Sequence, residues 1–135
     1  SYRRSITGEY QPRNVSNYNL SLVREESEQL SLSRRIPIKC TILEGKHVGE
    51  NDNKGNIVEL SNKSASVIFT QSIEQLANLK INLDNVDEAL ASKVLYAKVI
   101  ECQDESLNQW LIRFTAVPPE IKSYFLAHLQ YSMDI

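Results

Sequence analysis

A two-residue hydrophobic period runs through most of this chain and narrows its fold more than any other feature. Ile36, Ile38, Cys40 and Ile42 alternate with Pro37, Lys39 and Thr41, which makes one side of an extended segment apolar and the other polar. The early proline has no amide to give to a ladder and suits a strand start or an edge. Residues 56–60 and 65–70 read as the next two strands, the second rich in β-branched and aromatic side chains. Leu79, Ile81 and Leu83 alternate with Lys80 and Asn82 as a fourth, after a connector holding Ile73 and Leu76, and residues 93–103 and 109–116 supply two more. DESLNQ between the last two reads as a hairpin loop.

The end of the chain changes period. Pro118 and Pro119 suit a helix entry, where the first amides need no intrahelical partner, and Glu120 suits the positive end of the dipole. Ile121, Phe125 and Leu129 recur every four residues with Tyr124 beside them, a face fit to cover one opening of a small barrel. NVDEALASK, between strands, reads as a loop with at most one helical turn. The sum is an all-β domain: a six-stranded antiparallel β-barrel with a C-terminal α-helix.

At 135 residues the chain suits one folded domain with a core of its own. Residues 1–33 differ from the rest, with four arginines, four glutamates and few large aliphatics. They read as a polar N-terminal arm or linker, with Leu20, Val23 and Leu30 hinting at a short helix near 19–30, ahead of a barrel domain at 34–135. The chain opens on Ser1 rather than Met, which suggests an upstream segment.

A formal net charge of −2 gives no global attraction to nucleic acid or to an anionic membrane. No apolar run approaches the ~18 residues of a membrane span. Cys40 and Cys102 lie in predicted strands without metal spacing, and the expectation is two reduced packing residues of a cytoplasmic protein. Catalysis finds little support: His47 sits in the polar loop EGKHVGENDNKG and His128 in the last helix, away from any nucleophile context. Asp84, Asp87 and Glu88 read as a solvated acidic loop. No P-loop, GxGxxG or zinc spacing occurs, so the expectation is a non-enzyme without a metal or resident cofactor.

The stretch GNIVELSNKSASVIFT places Glu59, Ser61, Lys63 and Ser64 around a polar turn between two strands, and Arg34 and Arg35 precede the first alternating strand. In its order of elements, in this serine turn and in NQWLIRFTAVPPEIKSYFLAHL at its end, the chain resembles the PilZ family of cyclic di-GMP receptors over residues 34 to about 130. The resemblance implies a nucleotide site in which the arginines of an RxxxR motif grip phosphates and guanine edges through planar guanidinium donors. It also implies that a (D/N)xSxxG turn reads guanine and phosphate from the facing side. Arg34, Arg35, Glu59, Ser61, Lys63 and Ser64 are the candidate nucleotide-binding residues carried over.

The match departs from the family pattern at several of these positions. With Arg35 as the second arginine, the first falls on Ser31; with Arg35 as the first, the second falls on Lys39, inside the strand. Glu59 replaces Asp or Asn, and Ser64 replaces the glycine. Losing one charged hydrogen-bonding arm costs about 1.5–3 kcal/mol, and a left-handed backbone at a non-glycine residue about 1–2 kcal/mol.

The expectation is therefore a bacterial PilZ-like regulatory domain of cyclic di-GMP signalling with a degenerate site, acting on another protein or domain through protein–protein interaction. The alternative is a functional cyclic di-GMP receptor using Arg34, Arg35 and Ser61. A barrel binding single-stranded nucleic acid ranks last, because Phe69, Tyr96 and Trp110 have few neighbouring cations. Nucleic acid and membrane insertion are not expected, and homo-oligomerisation is left open.

Overall fold

Apolar residues at every second position form strands here because six such segments can turn their apolar sides onto one another and close. The structure is a computed structural model that describes residues 29–43 and 52–133. Its strands are β1 (Leu30–Leu43), β2 (Asp52–Leu60), β3 (Ser64–Phe69), β4 (Asn78–Leu83), β5 (Leu95–Asp104) and β6 (Gln109–Ala116). A one-turn helix α1 (Glu88–Ala91) precedes β5, and the longer α2 (Pro119–Met133) ends the chain. The strands close as an antiparallel barrel in the order β1-β2-β3-β6-β5-β4. The six-stranded barrel and the terminal helix read from the sequence are both present.

The barrel interior holds Ile36, Ile38, Ile57, Val67, Leu79, Ile81, Leu83, Leu95, Val99 and Ile112, all essentially without solvent contact. Each such side chain contributes about 1.5–3 kcal/mol relative to exposure. Gly55 of β2 lies among them, where a Cβ would stand 2.9 Å from the Ile68 carbonyl oxygen and 3.0 Å from Val67 Cγ1. One end of the barrel is closed by the 70–77 connector through buried Ile73 and Ala77. The other is closed by α2, which buries Ile121 and Phe125, with Phe125 stacked on Phe114 of β6 at 5.5 Å between centroids.

Local chemistry fixes the connections. Asp87 caps α1, its Oδ1 accepting from the Leu90 N–H at 2.9 Å, and Asn82 Nδ2 donates to the Ala91 and Lys93 carbonyls at 3.0 Å each. In the β5–β6 hairpin, Asp104 Oδ1 accepts from Ser106 N–H, Ser106 Oγ and Leu107 N–H, and these bonds hold its carboxyl below the usual range. Asn108 adopts φ 56° and donates its amide to the Phe69 and Gln71 carbonyls, tying the hairpin to the end of β3.

Three expectations need revision. β1 begins at Leu30 rather than at residue 36, because Leu30 and Ser31 pair with Leu60 and Glu59 although the intervening serines and arginines break the alternation. Leu30 therefore opens a strand and does not end a helix, and β1 runs through residues 33 and 34 without a break in the strand. Cys40 is buried as expected, but Cys102 is exposed, since β5 changes register on either side of it. The rest of the arm and His47 lie outside the described residues.

Candidate functional site

β2 and β3 are held together by Leu60 and Ala65, an inward-facing pair with no solvent contact, and the turn between them carries the predicted serines. Ser61 Oγ accepts from the Lys63 N–H at 3.3 Å and the Ser64 N–H at 3.1 Å. Its hydroxyl also lies 2.9 Å from Ser64 Oγ, and the Ser61 N–H donates to the Ser64 carbonyl at 2.9 Å. This is a serine-capped turn, in which one hydroxyl takes the amides that a tight reversal would leave unpaired. The Lys63 carbonyl accepts from the Phe114 N–H at 2.8 Å, which ties the turn to β6, while the Lys63 side chain is exposed.

The turn reaches this geometry without left-handed backbone. Among the described residues, the non-glycine positions with positive φ are Leu76, Asn85 and Asn108, none of them in the turn. Ser64 therefore stands where no left-handed backbone is required, and the turn does not need glycine at that position.

Beside the turn lies a network that sequence reasoning missed. Gln29, just ahead of β1, extends its side chain across β2 to β3. Oriented to satisfy both ends of its amide, its nitrogen donates to Ser66 Oγ at 2.6 Å and Glu59 Oε1 at 3.3 Å, and its oxygen accepts from Ser64 Oγ at 2.9 Å and the Ala65 N–H at 3.2 Å. Ser66 is fully buried and also donates to Glu59 Oε1 at 3.4 Å. A polar residue between Ala65 and Val67 was the one signal that a buried polar contact was coming; nothing in the run around Gln29 announced its partner.

The two arginines fall on an irregularity of β1. Ser31 pairs with Glu59 and Ile36 with Ile57, so β1 advances five residues where β2 advances two, and the excess holds Arg34 and Arg35. Arg34 carries its guanidinium to α2, 5.1 Å from the Tyr131 ring centroid, and the neighbouring Ser33 N–H donates to Ser132 Oγ at 3.0 Å. His128, one turn earlier on α2, packs on Tyr124 at 4.7 Å; burial lowers its pKa, and the Arg34 charge lowers it further. Burial raises the Tyr124 hydroxyl pKa. Arg35 is exposed on the bulge.

The six predicted residues thus separate, with Arg35 left exposed on the bulge. Glu59, Ser61, Lys63 and Ser64 stand together at the β2–β3 end, three of them joined through Gln29 and Ser66. Arg34 is engaged with the end of α2. Between the turn and the helix runs a groove lined by Ser61 and Asn62 of the turn, Phe114 and Val117, and Lys122, Phe125, Leu126 and Leu129 of α2. Its chemistry is apolar with a polar rim.

Arg113 is exposed and pairs in register with Ser64 on one side and Lys98 on the other. Among the described residues, no group of three or more His, Cys, Asp or Glu side chains could hold a metal ion, and no helix is long and apolar enough to cross a membrane. No protein-family model matches the chain, and comparison with curated proteins finds no match.

Proposed function

We propose that this chain is a regulatory barrel similar to the PilZ family whose nucleotide site has become structural, and that it acts by binding another protein rather than cyclic di-GMP. The observation that carries this reading is where the signature residues direct their polar groups. A ligand-reading turn should aim its hydroxyls and carboxylate outward, whereas Ser61 caps its own turn and Ser64 and Glu59 bond to Gln29. Recruiting them to a guanine would first break these bonds, at about 0.5–1.5 kcal/mol each. Arg34 would likewise have to leave Tyr131. Exposed Leu126, Tyr131 and Met133 on α2 are consistent with a protein-binding role.

Calorimetric titration of the full chain with cyclic di-GMP tests the reading. The expected result is no binding tighter than about 10 µM, equivalent to roughly −7 kcal/mol. A nanomolar Kd that disappears in Arg35→Ala and Ser61→Ala would instead make the protein a working receptor.

A further inference from the structure

We propose that the outer wall of the barrel docks an acidic, extended segment of a partner protein on a row of cations formed by Lys54, Lys39, Lys80, Lys98 and Arg113. The proposal deepens the protein-binding reading, on which it rests, by giving the partner a chemistry and this chain a surface to meet it.

Register builds the row. Ile38, Cys40, Ile81, Ala97, Val99 and Ile112 are buried in the core, so the residues that alternate with them point outward. Lys54 of β2 stands opposite Lys39 of β1, and Lys98 of β5 stands opposite Arg113 of β6. Lys39 is opposite Asn82 and Lys80 is opposite Tyr96, which makes Lys80 of β4 the diagonal neighbour of both Lys39 and Lys98. Opposite residues on paired strands lie about 5 Å apart and diagonal ones about 7–8 Å, close to the ~6.7 Å at which side chains recur on one side of an extended chain. The strands β2, β1, β4, β5 and β6 are consecutive round the barrel, so the row follows the wall from strand to strand.

Charge selects the occupant. Like charges placed directly across a sheet destabilise it, and the wall carries two such pairs, Lys39 with Lys54 and Lys98 with Arg113. Among the described residues, none of the row's cations makes an ion pair with a carboxylate. Nearby acids are engaged or set apart: Glu59 bonds to Gln29 and Ser66, Asp84 accepts from the Asn85 N–H, and Glu101 follows a register change of β5. Asp52 is in register with Thr41, at the margin of the row. An anionic occupant relieves both like-charged pairs. A flat membrane meets one side of a barrel, whereas this row passes over five neighbouring strands. Single-stranded nucleic acid calls for stacking platforms beside the cations, but Phe69 is buried, Phe114 stacks on Phe125 and Trp110 Nε1 donates to Asn108 Oδ1. Tyr96 is thus left as the exposed aromatic of the described strands. An acidic extended segment needs only the charges and their spacing.

Fluorescence anisotropy of a labelled deca-glutamate peptide against the full chain is the test, with single-stranded oligothymidylate and phosphatidylserine vesicles as parallel arms. The peptide is expected to bind at about 50 mM salt and to weaken at least about tenfold by about 300 mM. Lys39→Glu with Lys98→Glu should weaken it by a similar factor, and Lys93→Gln should leave it unchanged. Lys39→Gln with Lys98→Gln should also weaken it while holding or raising the urea midpoint, because each change ends a like-charged pair. Failure of the peptide to bind, or unchanged affinity in the charge-reversed variant, overturns the proposal. So does a lower urea midpoint in the glutamine variant, which would make the lysines part of the fold's own stability. Tighter binding of oligothymidylate or of the vesicles overturns it as well, because the occupant would then be nucleic acid or membrane. The cyclic di-GMP titration is read separately, so a nanomolar nucleotide constant would sink the protein-binding reading while leaving the peptide result to stand or fall alone.

Discussion

Ser64 Oγ lies 2.9 Å from Ser61 Oγ, so the residue standing where the resembled signature has glycine is bonded to the residue standing where it has serine. The Ser64 hydroxyl is thus a contact inside the turn, and a glycine at this position should harm the protein. Ser64→Gly removes the bonds to Ser61 and Gln29 and relieves no left-handed backbone. The expected loss is about 1–2 kcal/mol in urea unfolding, with no gain in cyclic di-GMP binding by calorimetry. A stabilised variant that binds nucleotide would show that the turn can still take the ligand-reading shape.

The Arg34–Tyr131 contact ties the bulge of β1 to the end of α2. Because Tyr131 is 43% exposed, the coupling should be small, about 0.5–1 kcal/mol. A double-mutant cycle of Arg34→Ala and Tyr131→Leu, read by denaturant midpoints, measures it. Strict additivity of the two single changes would mean that the stacking contributes nothing.

His128 gives a pH dependence of definite sign. Its folded pKa lies below the ordinary 6.5 because burial disfavours the imidazolium and Arg34 repels it. The unfolded chain therefore binds a proton first as pH falls, and the contribution is present above pH 6.5 and lost as pH drops through the folded value. Subtracting the stability curve of His128→Gln cancels the carboxylates. The difference should be constant above about pH 7 and decline toward pH 5; a level difference across that range would contradict the assignment.

Gly55 is required by space rather than by conformation. A methyl group there meets the Ile68 carbonyl at 2.9 Å, and that oxygen belongs to strand backbone that cannot give way freely. Gly55→Ala should cost about 1–3 kcal/mol, seen as a lower denaturant midpoint with little change in slope. An unaltered midpoint would show that β2 and β3 can part without penalty.

The barrel was legible wherever burial was periodic. Ile36 to Ile42 and Leu79 to Leu83 face a single core, so the requirement for a dry interior is written directly into every second residue. The first six residues of β1 were not legible, because Ser31, Ser33, Arg34 and Arg35 are exposed and their pairing depends on backbone ladders that any side chain permits. The start of β2 at Asp52 was hidden for a different reason: DNKG suits a turn in isolation, and only its partners in β1 make it a strand. At the site, the serine turn was visible as a short polar break, but its wiring was not. Gln29 reaches Ser64 and Ser66 across thirty-five and thirty-seven positions of sequence, and no local pattern reports a contact over that distance.

The ladder between β1 and β4 starts only at Ile38, with a last bond from the Asp84 N–H to the Pro37 carbonyl. Among the described residues, β1 is paired over Leu30–Ile36 with β2, and along that stretch α2 supplies neighbours through Tyr131 and Ser132. Among the described residues, the wall is therefore strand paired to strand over one part of its height and strand beside helix over the rest. Detaching α2 would bare the apolar mouth that Ile121 and Phe125 cover, so the terminal helix is part of the barrel's closure rather than an appendage to it.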